Sequence, residues 1–199
     1  MEGAGGFDRD LQVPQIGDTQ DEAPEKERAR KKTLQERVDR TDMQRRRVKL
    51  YCDGGCRDNQ RRGNVGGWGV RLEWGPHVKE LSGSAKDTTN NKMELTAAIE
   101  GLRAVRDKSV GVDVYADSAY VIGGLTSWVG KWKKNGWVTS TEKPVANREL
   151  WEALDEERGK FSDIAFHKVK GHADNAGNNR ADELANIAMD KASSNPQDA

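Results

Sequence analysis

The sequence predicts a mixed α/β domain: a five-stranded sheet, three strands antiparallel and then two parallel, with helices on its faces. Three observations predict it. Apolar residues are concentrated after Arg47, so the core is built there. Val48 to Ala85 alternates polar and apolar residues between short links, the pattern of an antiparallel meander. From Asn90 onward, helical periodicity alternates with short apolar runs.

The elements follow in order. Val48, Leu50 and Cys52 alternate with Lys49, Tyr51 and Asp53, and Gly54–Gly55 is expected to end this first strand. Val65–Trp74 reads as the second strand and Val78–Ala85 as the third. Asn90–Arg106 reads as a helix with Leu95, Ala98, Ile99, Leu102 and Val105 on one face. Val110–Ala116 is an apolar strand, and a short helix is expected from Ser118. Trp128–Lys134 and Asn147–Arg158 carry helical patterns joined by a basic loop. Ile164–Val169 supplies the fifth strand. Asn178–Ala192 closes the domain as a helix carrying Ala181, Leu184, Ala185 and Ala188.

The domain so defined spans residues 47–193. Residues 1–46 read as a charged extension, disordered or marginally helical: opposite charges recur at helical offsets, but Leu34, Val38 and Met43 are too few for an apolar face. Residues 194–199 read as a disordered tail, and Met1 together with this tail suggests a free-standing chain. Lys+Arg and Asp+Glu both total 33, so the formal net charge is zero. That excludes a simple polycationic nucleic-acid binder but leaves room for a local basic patch. Cys52 and Cys56 have no partners at zinc-finger spacing and are expected as reduced thiols of an intracellular protein, cytoplasmic or nuclear. No apolar run approaches the roughly 18 residues of a membrane span, and Met1–Gly6 lacks the basic start and apolar stretch of a signal peptide. No useful heptad run is present, and a monomer is expected.

Four carboxylates stand out, each with a plainer alternative. Asp53 before two glycines can be a turn former, yet it extends a buried-looking strand, where an unpaired charge is expensive. Glu94 can complete a capping box with Asn91. Asp117 can cap the helix after it. Asp182 can be a surface charge. Together they carry more weight, because two end strands and two lie on helices able to pack on the same sheet, and strand ends of such sheets gather ligands. Converging carboxylates raise one another's pKa unless cations neutralise them. Magnesium accepts a few carboxylates and keeps waters and phosphate oxygens in its octahedron. Two such ions about 4 Å apart clamp an in-line phosphoryl displacement.

A second cluster is basic and aromatic. Thr126–Arg148 holds Trp128, Trp132 and Trp137 among Lys131, Lys133, Lys134, Lys143 and Arg148, five cations against the single acid Glu142. Rings within a basic patch suit a nucleic-acid strand; they also suit the core of a helical hairpin.

The segments YCDGGC, TTNNKMELTAAI, YADSAYV, WKKNGW, VKGHA and NNRADELA occur in this order, and residues 48–192 thereby resemble type 1 ribonuclease H. The resemblance implies the ribonuclease H-like fold. It implies Asp53, Glu94, Asp117 and Asp182 as metal-binding catalytic carboxylates, and His172 as an aid to proton transfer or product departure. Two Mg²⁺ ions would act as cofactors, with Mn²⁺ as a substitute, and the product ends would be 5′-phosphate and 3′-hydroxyl. The partner would be an RNA–DNA hybrid. Trp128, Trp132, Lys133, Lys134 and Trp137 would belong to the protrusion that grips the DNA strand. Thr89 and Asn147 would hold a DNA phosphate, and Asn59, Asn90 and Asn91 would lie in the minor groove. RNA is told from DNA by its 2′-hydroxyls, and Gly54, Gly55 and Cys56 are expected to reach them mainly through main chain. Gly55 stands where the family usually carries a hydroxyl or thiol, and Ala119 where a polar residue is common. Two other readings share these motifs: a ribonuclease H domain of a reverse transcriptase or polyprotein, and a catalytically weak hybrid-binding module.

Overall fold

The computed structural model describes residues 26–34, 47–58, 62–171 and 175–194. The chain divides into two units, residues 1–42 and 43–199. In the first, α1 covers residues 26–34 and is exposed throughout. A Lys31–Glu27 pair at 2.8 Å, one turn apart, supports it.

In the second unit the order is β1 (Val48–Arg57), β2 (Val65–Trp74), β3 (His77–Lys86), α2 (Asn90–Ala104), β4 (Val112–Ala116), α3 (Ala119–Gly123), a π-turn (Gly124–Trp128), α4 (Val129–Lys134), α5 (Arg148–Gly159), β5 (Ile164–Lys168) and α6 (Ala176–Ser194). The sheet order is β3-β2-β1-β4-β5. β1–β2 and β2–β3 are antiparallel; β1–β4 and β4–β5 are parallel. The expected mixed five-stranded sheet is the observed one.

The two faces of β1 part according to residue parity, as a pleated strand requires. Leu50 and Cys52 are buried on the α2 side with Leu95, Ala98, Ile99 and Leu102. Tyr51 lies on the other side, under Gly177 of α6. Leu50, Leu95, Leu102 and Leu154 are fully buried, each contributing about 1.5–3 kcal/mol of apolar burial.

Three local expectations change. Gly54–Gly55 does not end β1, which runs on to Arg57 because Gly54 pairs with Trp68 and Gly55 with Gly67 across β2. The expected turn after Asp53 is therefore absent. Asn91 does not cap α2: the cap is Thr89, whose hydroxyl accepts from Lys92 N at 3.3 Å. Asp117 does not cap α3: Ser118 does, accepting from Val121 N at 3.2 Å. The plainer roles available to three of the four carboxylates thus fall to neighbours or vanish.

Candidate active site

Parallel pairing of β1 with β4 ends at Tyr51 and Tyr115. Two residues farther along the chain from each tyrosine come Asp53 in β1 and Asp117 just after β4. Tyr51 and Tyr115 stack beneath them with ring centroids 5.0 Å apart.

Glu94 arrives from the opposite face. A Cβ on Gly54 would fall on the backbone of Met93 and Glu94, so the glycine is what lets α2 seat directly against β1 beside Asp53. Glu94 is half-buried and accepts a hydrogen bond from the Ser118 hydroxyl, one residue beyond Asp117. Burial first, then the charges of Asp53 and Asp117, raise its pKa from 4.5 to about 8. Burial, followed by Asp53, Glu94 and Asp117, also pushes the neighbouring Cys52 thiol well above its ordinary range. Asp53, Glu94 and Asp117 therefore share one electrostatic environment.

Asp182 comes in on α6. Gly69 is the cross-strand partner of Asp53, and a Cβ there would strike the carbonyl of Ala181 and stand 2.8 Å from Ala185 N. The helix thus lies directly on β2 with Asp182 one residue past the contact. Asn186 donates to the Asp182 carboxylate at 3.0 Å, fixing its direction. Arg180 clamps the same turn to β3 through Glu80 at 3.0 and 2.8 Å, and Glu80 also receives Arg71 at 2.9 Å.

The loop after β5 closes on the site. Val169 N donates to Ala116 O at 3.0 Å, and a Cβ on Gly171 would stand 2.5 Å from an Asp117 oxygen. His172 and Asn59 lie outside the described residues.

This donor set suits a hard divalent cation: oxygen ligands, surplus negative charge and a carboxyl whose ionised form needs a counter-charge. No group of three His, Cys, Asp or Glu side chains among the described residues stands in metal-binding geometry. Magnesium needs only a few carboxylates and fills the rest of its octahedron with water and phosphate oxygens.

Asp113, also on β4, is a different kind of carboxylate. Arg47 bonds it at 2.8 Å and His167 at 2.9 Å. Burial raises its pKa, but those two partners outweigh burial and hold it low. Arg47, at the end of a basic run in the sequence, is thereby committed to the fold.

The aromatic-basic segment resolves into parts. Trp151, fully buried, meets Tyr120 and Trp132 edge-on with centroids 5.0 and 5.5 Å away. Trp132 and Trp137 pack partly against the core, whereas Trp128 is 38 % exposed, just where the π-turn shifts the helical register. Arg148 covers Trp137 at 5.5 Å. Lys133 is bonded to Asp155 at 2.6 Å, so part of the expected positive surplus is neutralised internally. Asn147 adopts a left-handed conformation and donates to Tyr120 Oη at 3.3 Å. With Thr88, Lys92, Thr96 and Arg148 it lines a groove between α2 and the start of α5.

The edge formed by Cys56, Thr89, Asn90 and Asn91 is pinned by a residue the sequence did not single out. Buried Asn64 exchanges two hydrogen bonds with the Thr88 backbone, both 2.9 Å, and Cys56 Sγ stands 3.7 Å from Thr88 O. An Asn in a polar loop carries no signal of such a role; only the fold brings it to Thr88.

The mixed sheet, with Asp53 and Asp117 just beyond the point where the parallel pairing of its central strands ends, defines an α/β protein with an acidic, cation-seeking site. Comparison with known proteins agrees. The RNase H family model matches residues 45–190. A ribonuclease H of Ruthia magnifica is 46% identical over 147 residues, 74% of this chain and 98% of the relative. One from Brucella anthropi is 50% identical over 145 residues, 73% and 91%. Among solved structures, LC9-RNase H1, a type 1 RNase H with the type 2 active-site motif, superposes with a TM-score of 0.65 at 31% identity, covering 73% of this chain and 72% of its own. The chain belongs to the ribonuclease H family of hydrolytic nucleases. No helix among the described residues is long and apolar enough to cross a membrane.

Proposed function

We propose that this chain is an endoribonuclease that hydrolyses the RNA strand of an RNA–DNA hybrid, leaving 5′-phosphate and 3′-hydroxyl ends. The observation that carries the proposal is the convergence of Asp53, Asp117 and Glu94 from two strands and a helix into one environment that raises the Glu94 pKa to about 8. Asp53, Glu94, Asp117 and Asp182 would hold divalent cations, Mg²⁺ with Mn²⁺ as a substitute. Bound there, such ions would supply Lewis-acid activation of water and charge neutralisation at the leaving oxygen.

The remaining steps belong to the chain. Gly54, Gly55 and Cys56 follow Asp53 along β1, and their main chain would meet a 2′-hydroxyl, the group that tells RNA from DNA. Asn90 and Asn91 stand exposed at the start of α2, placed to enter a minor groove. Thr89 caps α2, and Asn147 lines the groove between α2 and α5, where Lys92 and Arg148, beside Glu149, would supply charge for a DNA phosphate. Trp128, Trp132 and Trp137 offer ring surface, and Lys134 a cation, to the DNA strand. His172 would move a proton at the departing product.

The test is cleavage of a labelled RNA–DNA hybrid in Mg²⁺, run beside single-stranded RNA, double-stranded RNA and double-stranded DNA, with Asp117→Asn as control. Cutting confined to the RNA of the hybrid and lost in the variant is expected. Intact hybrid binding with no cutting by either protein would make the chain a binding module.

A further inference from the structure

We infer that Ser118 is a positioning residue for Glu94: its hydroxyl holds the Glu94 carboxylate beside Asp117 and so sets the affinity of the acidic pocket for a divalent cation. The inference rests on reading Glu94 as a cation ligand.

Ser118 is buried, 8 % exposed. Its Oγ accepts the backbone N–H of Val121 at 3.2 Å. A serine hydroxyl has a single proton to give and two lone pairs: one lone pair takes the Val121 N–H, and the proton goes to Glu94 Oε2 in a second hydrogen bond. This second bond joins two elements: Glu94 stands on α2, whereas Ser118 follows Asp117 at the end of β4.

The electrostatics show why such a tie is needed. The charges of Asp53 and Asp117 press on Glu94 and would turn a free glutamate side chain, with its three torsions, toward solvent. A donated hydrogen bond favours the ionised carboxylate and opposes that rotation. Groups that orient a metal ligand from behind typically change affinity or activity about 10- to 100-fold when removed.

A plain structural role for Ser118 exists, the capping of α3, and the experiment separates the two. Mg²⁺ alone would be titrated by calorimetry into the wild-type chain, Ser118→Ala, Ser118→Thr, Glu94→Ala and the Ser118→Ala/Glu94→Ala double variant, with a thermal melt of each. Ser118→Ala is expected to weaken Mg²⁺ binding about tenfold, the loss typical of an outer-shell partner, and to weaken it no further where Glu94 is already alanine. Ser118→Thr, which keeps the hydroxyl, is expected to restore binding to within about twofold. If Ser118→Ala fails to fold, Ser118→Gly replaces it, since glycine is tolerated at helix N-caps. An equal loss in both backgrounds, or no loss beside an intact Glu94, would overturn the inference and leave Ser118 a cap. Unchanged Mg²⁺ affinity in Glu94→Ala would overturn the ligand reading of Glu94 itself, and the inference with it.

Discussion

Gly69 and Ala181 are in backbone contact: β2 has no side chain at Gly69, and the Ala181 carbonyl occupies the space where a Cβ would be. Gly69 pairs with Asp53 and Asp182 follows Ala181, so this contact joins the elements that carry two candidate cation ligands. Gly69→Ala is expected to cost about 1–3 kcal/mol through overpacking and to lower hybrid cleavage by about 100-fold through displacement of α6. A melt and a rate measurement on the same preparation check both; an unchanged rate would mean that α6 does not position Asp182.

Glu94 predicts a pH dependence of stability in chelator. Its ordinary pKa is 4.5, and in the folded chain it rises to about 8. Below 4.5 the carboxyl is protonated in both states. Between 4.5 and about 8 only the unfolded chain ionises, so the unfolded state gains and stability falls as pH rises across that window. Melting temperatures in EDTA should decline across this range, Glu94→Gln should flatten the decline, and Mg²⁺ at the upper end should restore stability.

Two tryptophans should separate binding from folding. Trp128 is 38 % exposed and Trp151 fully buried. Trp128→Ala is expected to change stability by about 1 kcal/mol or less while weakening hybrid binding by about 1–3 kcal/mol, the value of one stacked ring. Trp151→Ala is expected to cost about 3–5 kcal/mol of stability. Equal behaviour of the two in melts and binding titrations would count against an exposed stacking role for Trp128.

Lysines at adjacent positions should differ in salt dependence. Lys133 is bonded to Asp155 at 2.6 Å, whereas Lys134 has no ion-pair partner among the described residues. Lys134→Ala should therefore reduce the slope of log affinity against log salt by about 1, the value of one phosphate contact. Lys133→Ala should reduce it by less. Hybrid affinity across a salt series measures both.

The sheet and its helices were legible along the chain, because alternation and helical periodicity record burial directly: β1, β2, α2 and α6 fall within a few residues of their expected spans. The carboxylates stood out there as well, since their motif order is local information. The role each residue fills depends on contacts made in the folded domain. Gly54 and Gly55, expected to end a strand, stay inside it because β2 supplies partners on the other side. Thr89 rather than Asn91 caps α2, and Ser118 rather than Asp117 caps α3, since adjacent polar residues compete for one cap and backbone direction chooses between them. The expected surplus of positive charge is partly cancelled by Asp155, a residue 22 positions from Lys133. Asn64 reaches Thr88 across 24 positions. Contacts of that kind depend on distance in space, which a periodic pattern along the chain does not encode.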